Sequence, residues 1–255
     1  MMQLMRLGEL EVARIGLGTN RLTHTAAHVE FIKGAVEAGV QMIDTAHLYT
    51  GTESERTIGE AVGGAPPGVV VATKGGFVAG EGNPEVLRAQ IQESLRNLRT
   101  ETITLYFLHR VHPDTPLEVS LGAIKEYVER KKIRYVGVSE VDIDQVERAR
   151  KVLPIHAVQN RYNLGERKWD AVVDYCEREG ILFVPFFPLR AGHTATVDEV
   201  ARKHRATPTQ VMLAWLLRRS PAMLPIPGTL SLEHLKENLA AQKVELTESE
   251  YQSLA

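Results

Sequence analysis

Cysteine is almost missing from this chain of 255 residues, where Cys176 stands alone. A single thiol excludes an internal disulfide and fits a reducing compartment. The nine His are scattered, and no HExxH or CxxC spacing offers a metal site. Neither sign of charge is in excess: 30 Lys and Arg stand against 32 Asp and Glu, with an isoelectric point of about 6.5. No basic stripe for nucleic acid or an anionic membrane follows from such a balance. Long apolar runs are absent too, since none approaches the ~20 residues needed to cross a bilayer. The opening stretch from Met1 to Gly16 lacks a continuous apolar core and a cleavage signature, so no signal peptide is expected. A cytoplasmic location is the expectation. Also missing is the third glycine of a dinucleotide-binding GxGxxG: Gly16-Leu17-Gly18-Thr19-Asn20 stops short and no helix opens there. That tells against a doubly wound open sheet.

What the chain does have is repetition. Its hydrophobic content of 44% and charged content of 24% are ordinary for a globular protein. Short β-like runs at 14–17, 41–44, 69–73, 103–108, 133–138, 155–159, 181–186 and 223–226 alternate with amphipathic stretches. The helical patterns include Ala26–Ala38, Pro84–Leu98, Pro116–Lys131, Asp142–Lys151 and Lys168–Arg178. From the first run to the seventh, starts are 22 to 34 residues apart, the period of a βα unit. Eight such units predict a (β/α)8 barrel filling residues 1–255 as one domain. Before it, Gln3–Leu7, Gly8-Glu9 and Leu10–Ala13 read as a hairpin able to cap the bottom of the barrel. Two extra helical patterns, Thr196–His204 and Thr207–Arg219, lie between the seventh and eighth runs. After the eighth, Pro225-Ile226-Pro227-Gly228-Thr229 leads into a helix over Ser231–Ala241, with Ser231 as its N-cap. A glycine-containing turn feeding a helix N-terminus is suited to binding an anion.

Chemistry gathers where three successive runs stop being apolar, at Asp44, Lys74 and His109, with Tyr49 five positions beyond the first. Parallel barrel strands that end in a titratable residue deliver it to one pocket. A buried Lys74 needs a counter-charge or it loses its proton, and Asp44 is the nearest carboxylate offered. A phenol beside an ammonium is expected below its usual pKa of ~10, which would make Tyr49 a general acid usable near neutral pH. His109 adds a donor for a carbonyl oxygen. Each residue alone has a bland reading: a rim ion pair, a hydrogen-bonded His, a half-buried aromatic. Together they suit protonation of an oxygen that acquires negative charge. Cys176, inside a helical pattern, reads as a small core residue.

The sequence resembles the aldo-keto reductases over essentially its whole length. The resemblance is carried by Gly16-Leu17-Gly18-Thr19, Asp44-Thr45-Ala46-His47-Leu48-Tyr49, Thr73-Lys74, Leu108-His109, Gly137-Val138-Ser139, Val158-Gln159-Asn160 and Ile226-Pro227-Gly228-Thr229, followed by Leu235-Lys236-Glu237-Asn238. It implies a (β/α)8 barrel that passes hydride from NADPH to aldehydes and ketones without metal or flavin. Tyr49 then resembles the proton donor, Lys74 and Asp44 the pair that tunes it, and His109 the residue that orients the carbonyl. Ser139 and Gln159 match positions that hold the nicotinamide carboxamide, and Phe186 the aromatic that stacks on the ring. Gly18, Thr19 and Asn20 would lie close to the nicotinamide, with Asp44 and Glu140 beside it. Pro188, Leu189 and Gly192 would border the cofactor further along. Pro227, Gly228, Thr229 and His234 resemble the adenosine-phosphate site, and Glu237 and Asn238 the adenine contacts.

Three departures stand out. Glu140 occupies a position where the family often has Asn, and a carboxylate cannot donate to the carboxamide. Gly228 and His234 fall where many members carry Lys and Arg on the 2′-phosphate, which weakens the case for NADPH over NADH; His234 and the helix N-terminus can still hold the phosphate, so NADPH stays the expectation with NADH as the alternative. The loop after the fourth run, Arg110 to Thr115, is brief, implying an open and undemanding pocket. The expected partner is a small carbonyl compound, met by a monomer. Two other functions remain open from the residues: a cofactor-binding redox sensor or regulatory barrel without turnover, and an aldolase-like use of Lys74 as a Schiff-base nucleophile. Asp44 tells against the last, because it favours a protonated, non-nucleophilic amine.

Overall fold

Leu4–Leu7 (β1) and Leu10–Ala13 (β2) pair antiparallel in a computed structural model that describes residues 4–63, 66–190 and 194–254. Their two-residue turn starts with Gly8 at φ +58°, where a Cβ would also come within 2.3 Å of the Tyr135 ring. A side chain there is excluded twice over, by backbone strain and by contact.

Seven parallel strands follow in sequential order: Leu17–Gly18 (β3), Met42–Asp44 (β4), Val70–Gly75 (β5), Ile103–Leu108 (β6), Ile133–Ser139 (β7), Ala157–Gln159 (β8) and Leu182–Phe183 (β9). Helices alternate with them: Ala26–Glu37 (α1), Glu53–Val62 (α2), Pro84–Asn97 (α3), Leu117–Glu129 (α4), Ile143–Arg150 (α5) and Asp170–Glu179 (α6). Beyond β9 come Ala195–His204 (α7), Pro208–Arg219 (α8), Leu232–Ala240 (α9), a short 3-10 turn at Ala241–Lys243 and Glu248–Leu254 (α10). Side-chain caps open several of these helices, as Thr25, Asn83, Asp142, Thr194, Thr207 and Ser231 each accept an orphan backbone N–H.

The expected eighth strand, 223–226, closes the sheet without being a regular strand. Phe183 N donates to the Ala222 carbonyl and Leu224 N to the Phe183 carbonyl, both at 2.9 Å. On the other side, Gly16 N and Gly18 N donate to the carbonyls of Pro225 and Pro227, at 3.0 and 3.2 Å. Pro225 and Pro227 have no N–H to return, so the ladder is interrupted there and reduced to an isolated parallel bridge between Gly18 and Gly228. The first strand is likewise shorter than the expected 14–17, being reduced to Leu17–Gly18. The barrel architecture stands, joined across this proline-containing seam.

Strand parity decides what the barrel encloses. Met42, Val70, Ala72, Leu105, Phe107, Tyr135, Ala157, Leu182, Val184, Leu224 and Ile226 pack together in the interior. Ile43, Val71, Tyr106, Leu108, Val136 and Val138 face the helices, in a second cluster with Phe31, Ile32, Leu87, Leu121 and Trp215. Met5, Leu7 and Val12 of the hairpin join the interior cluster, so the hairpin fills the barrel's base as expected.

Candidate active site

Two residues beyond the last inward-facing apolar residue of each strand, the pleat delivers a polar or aromatic group to the same end of the barrel. Met42 leads to Asp44, Ala72 to Lys74, Phe107 to His109, Ala157 to Gln159 and Val184 to Phe186; Ser139 likewise follows Tyr135 and Gly137 on β7. Pairing continues past the strand ends to hold them level: Thr45 N donates to the Ala72 carbonyl, and His109 N to the Gly75 carbonyl, both at 2.8 Å. Tyr49 arrives differently, on the turn between β4 and α2.

Lys74 is wholly buried, and its Nζ donates to Asp44 Oδ1 and to the Thr45 carbonyl, each at 2.6 Å. The same nitrogen lies 3.5 Å from the Tyr49 hydroxyl. Burial pulls the Lys74 pKa down, but Asp44 and Tyr49 outweigh it, so the ammonium is held above its ordinary value. The second Asp44 oxygen accepts from Gln159 Nε2 at 2.8 Å, leaving neither carboxylate oxygen bare.

For Tyr49 the expectation of a lowered pKa is overturned. Burial is the largest influence and raises it, and Lys74 only partly opposes the rise. The phenol therefore holds its proton through neutral pH. His109 is pushed the other way, well below its ordinary value, by burial first and then by the nearby cations Lys74 and Arg110. It is a neutral imidazole, packed on the Phe77 ring at 4.7 Å, and its Nδ1 is buried without a hydrogen-bond partner among the described residues.

Around these groups lies a cavity of about 230 Å³. It is lined by all of Gly18, Thr19, Asn20, Asp44, Tyr49, His109, Ser139, Gln159, Phe186, Pro188 and Gly228 that sequence reasoning placed here. Its floor needs Gly18, where a Cβ would stand 2.7 Å from the Ile226 carbonyl. Leu48, Phe77, Arg110, Phe187 and Ile226 line it too and were missed. Ile226 was legible from its parity; the others sit on loops beyond the strand ends, where the alternation stops.

Other expected cofactor contacts lie apart from the cavity wall. Glu140, at φ +55°, turns its carboxylate to accept the Arg161 N–H at 2.6 Å. Leu189 packs against the hydrophobic core instead. Pro227 spends its carbonyl on the barrel seam, and Gly192 lies outside the described residues. Thr229 is buried and its hydroxyl accepts from Ser231 N at 3.1 Å, ordering the turn into α9. His234 is exposed in the first turn of α9, its N–H taken by the Ser231 hydroxyl. Asn238 is buried, whereas Glu237, expected at the adenine, accepts from the Thr207 hydroxyl at 2.5 Å. That carboxylate is already committed to joining α8 and α9.

Comparisons with known proteins agree with this architecture. The Aldo/keto reductase family model matches residues 14–255. The chain is 36% identical to pyridoxine 4-dehydrogenase of Escherichia coli, covering 95% of this chain and 93% of the relative. It is 35% identical to an uncharacterized oxidoreductase of Schizosaccharomyces pombe, covering 98% and 88%. Among solved structures, a thermostable aldo-keto reductase bound to the inhibitor epalrestat superimposes with a TM-score of 0.91 at 32% identity, covering 99% of this chain and 98% of that one. An aldo/keto reductase of Klebsiella pneumoniae in complex with NADP and acetate gives 0.88 at 27% identity, covering 100% and 94%.

Proposed function

We propose that this chain, which belongs to the aldo-keto reductase family, reduces aldehyde and ketone carbonyls to alcohols with NADPH as the reductant. The observation that carries the reading is the buried Lys74 ammonium, bonded to Asp44 and Thr45 and standing 3.5 Å from the hydroxyl of Tyr49, which lines the cavity. When bound, NADPH supplies the hydride. Tyr49 is the general acid that protonates the carbonyl oxygen; burial raises its pKa, and the Lys74 ammonium opposes that rise and so favours release of the proton. Lys74 stabilises the phenolate left behind, and Asp44 keeps Lys74 charged. Neutral His109 can donate one hydrogen bond to the carbonyl oxygen and so orient it. Ser139 and Gln159 are suited to the nicotinamide carboxamide, Phe186 to its ring, and the α9 N-terminus with Thr229 and His234 to the phosphate end. The Klebsiella pneumoniae neighbour's NADP complex supports the phosphorylated cofactor. The pyridoxine 4-dehydrogenase relative acts on a ring-bearing alcohol, so aromatic aldehydes belong in the substrate panel.

The test is Tyr49→Phe, assayed by NADPH absorbance with aldehydes and by fluorescence titration with NADPH and NADH. Carbonyl reduction should fall by at least about 100-fold while cofactor affinity persists. NADPH should bind more tightly than NADH in wild type and variant alike. Unimpaired turnover in the variant would remove Tyr49 from its role.

A further inference from the structure

Arg110 places a cation on the cavity wall, whereas Lys74 lies buried behind it and paired with Asp44. Its Nη1 donates to the His109 carbonyl at 2.7 Å and to the Ser139 hydroxyl at 3.1 Å. The guanidinium carbon lies 5.2 Å from the Phe77 ring centre and 5.7 Å from that of Phe186. It is half-buried and has no ion-pair partner among the described residues. Among those residues, the one carboxylate that acts on it electrostatically is Glu140, which makes no hydrogen bond to it and has one oxygen accepting the Arg161 N–H. An arginine does not shed its proton to relieve burial. Stacking between two rings and a hydroxyl fixes the plane of the fork without neutralising it. Asp44 on the cavity wall is paired with the buried Lys74, whereas Arg110 has no carboxylate at ion-pair distance among the described residues.

We propose that Arg110 makes this pocket selective for carbonyl compounds carrying an anionic oxygen group, a carboxylate above all, held by the guanidinium while the carbonyl faces Tyr49 and His109. The inference rests on the carbonyl-reductase reading and deepens it. A planar fork with free donors matches a carboxylate in two hydrogen bonds, and the aromatic walls lower the local dielectric. The competing role for Arg110 is to act through Ser139 on the bound cofactor, which would affect every substrate equally.

Two pairs of substrates separate these roles: 4-carboxybenzaldehyde against its methyl ester, and 4-oxobutanoate against its methyl ester. Wild type should favour the acid in at least one pair by kcat/KM. Arg110→Met should lower the acid-to-ester ratio by about 10- to 100-fold, chiefly through KM for the acid, with NADPH affinity changed less than about twofold. Arg110→Lys, which keeps charge but loses the fork, should retain part of the preference. Equal losses for acid and ester, or a weakened NADPH affinity, would overturn the inference while leaving carbonyl reduction intact. Should wild type reduce neither member of either pair, the carbonyl-reductase reading falls. Benzoate titration of wild type and Arg110→Met then decides the charge site by itself: Arg110-dependent binding supports it, and equal or no binding overturns it.

Discussion

His109 sits beside two cations, Lys74 and Arg110, and is buried, so its imidazole stays neutral well below its usual titration range. The unfolded chain would bind a proton there at about pH 6.5. Between that value and the lower folded value the unfolded state holds more protons, so folding stability drops as pH falls. His109→Gln removes the titration. The urea-unfolding midpoint of wild type, relative to that variant, should therefore decline between about pH 7 and pH 5; parallel profiles would contradict the assignment. Tyr49 gives the opposite lesson about reading single residues. The Asp44–Tyr49 spacing was enough to bring phenol and ammonium together, but the depth of burial that raises its pKa is not written in local sequence. Arg110 escaped for a related reason, because it follows His109 after the pleat has ended and its destination depends on the loop.

At the scale of elements, period-two alternation made most of the rim legible. A side chain two positions past an inward apolar residue must also face inward, which covers Asp44, Lys74, His109, Gln159 and Phe186. The eighth strand was legible by its apolar run but not in form, since Pro225 and Pro227 withhold the donors that a regular ladder needs. The α8–α9 contact was hidden altogether. Thr207 caps α8 through Gln210 N while its hydroxyl donates to Glu237, thirty residues on, and Gln210 Nε2 donates to the Glu237 carbonyl at 3.0 Å. Glu237→Ala should accordingly cost about 1 kcal/mol of stability by thermal or urea unfolding, with NADPH affinity little changed. A large loss of NADPH affinity at unchanged stability would instead support Glu237 as an adenine contact.

Across the whole molecule, the hairpin and the candidate site occupy opposite ends of one barrel. Met5, Leu7 and Val12 complete the interior core from below, and the polar rim stands above the same inward-facing rows. Leu7→Ala leaves a cavity at the base and should destabilise the fold by about 2–5 kcal/mol. Because the base is separated from the cavity by packed interior side chains, kcat and KM should stay near wild type in the folded variant. Steady-state kinetics alongside urea unfolding checks both halves; a selective loss of activity would mean that base and rim are coupled.

Sequence alone determined the repeating βα units, the hairpin, and which titratable groups end up at one rim, because these follow from periodicity along the chain. The family resemblance added the expected roles. Only the tertiary structure decided how deeply Tyr49 and His109 are buried, that Glu237 joins two helices, and that Arg110 enters the cavity without an ion pair among the described residues. Those are properties of distance between residues far apart in the chain, and desolvation and pairing are set by that distance rather than by order.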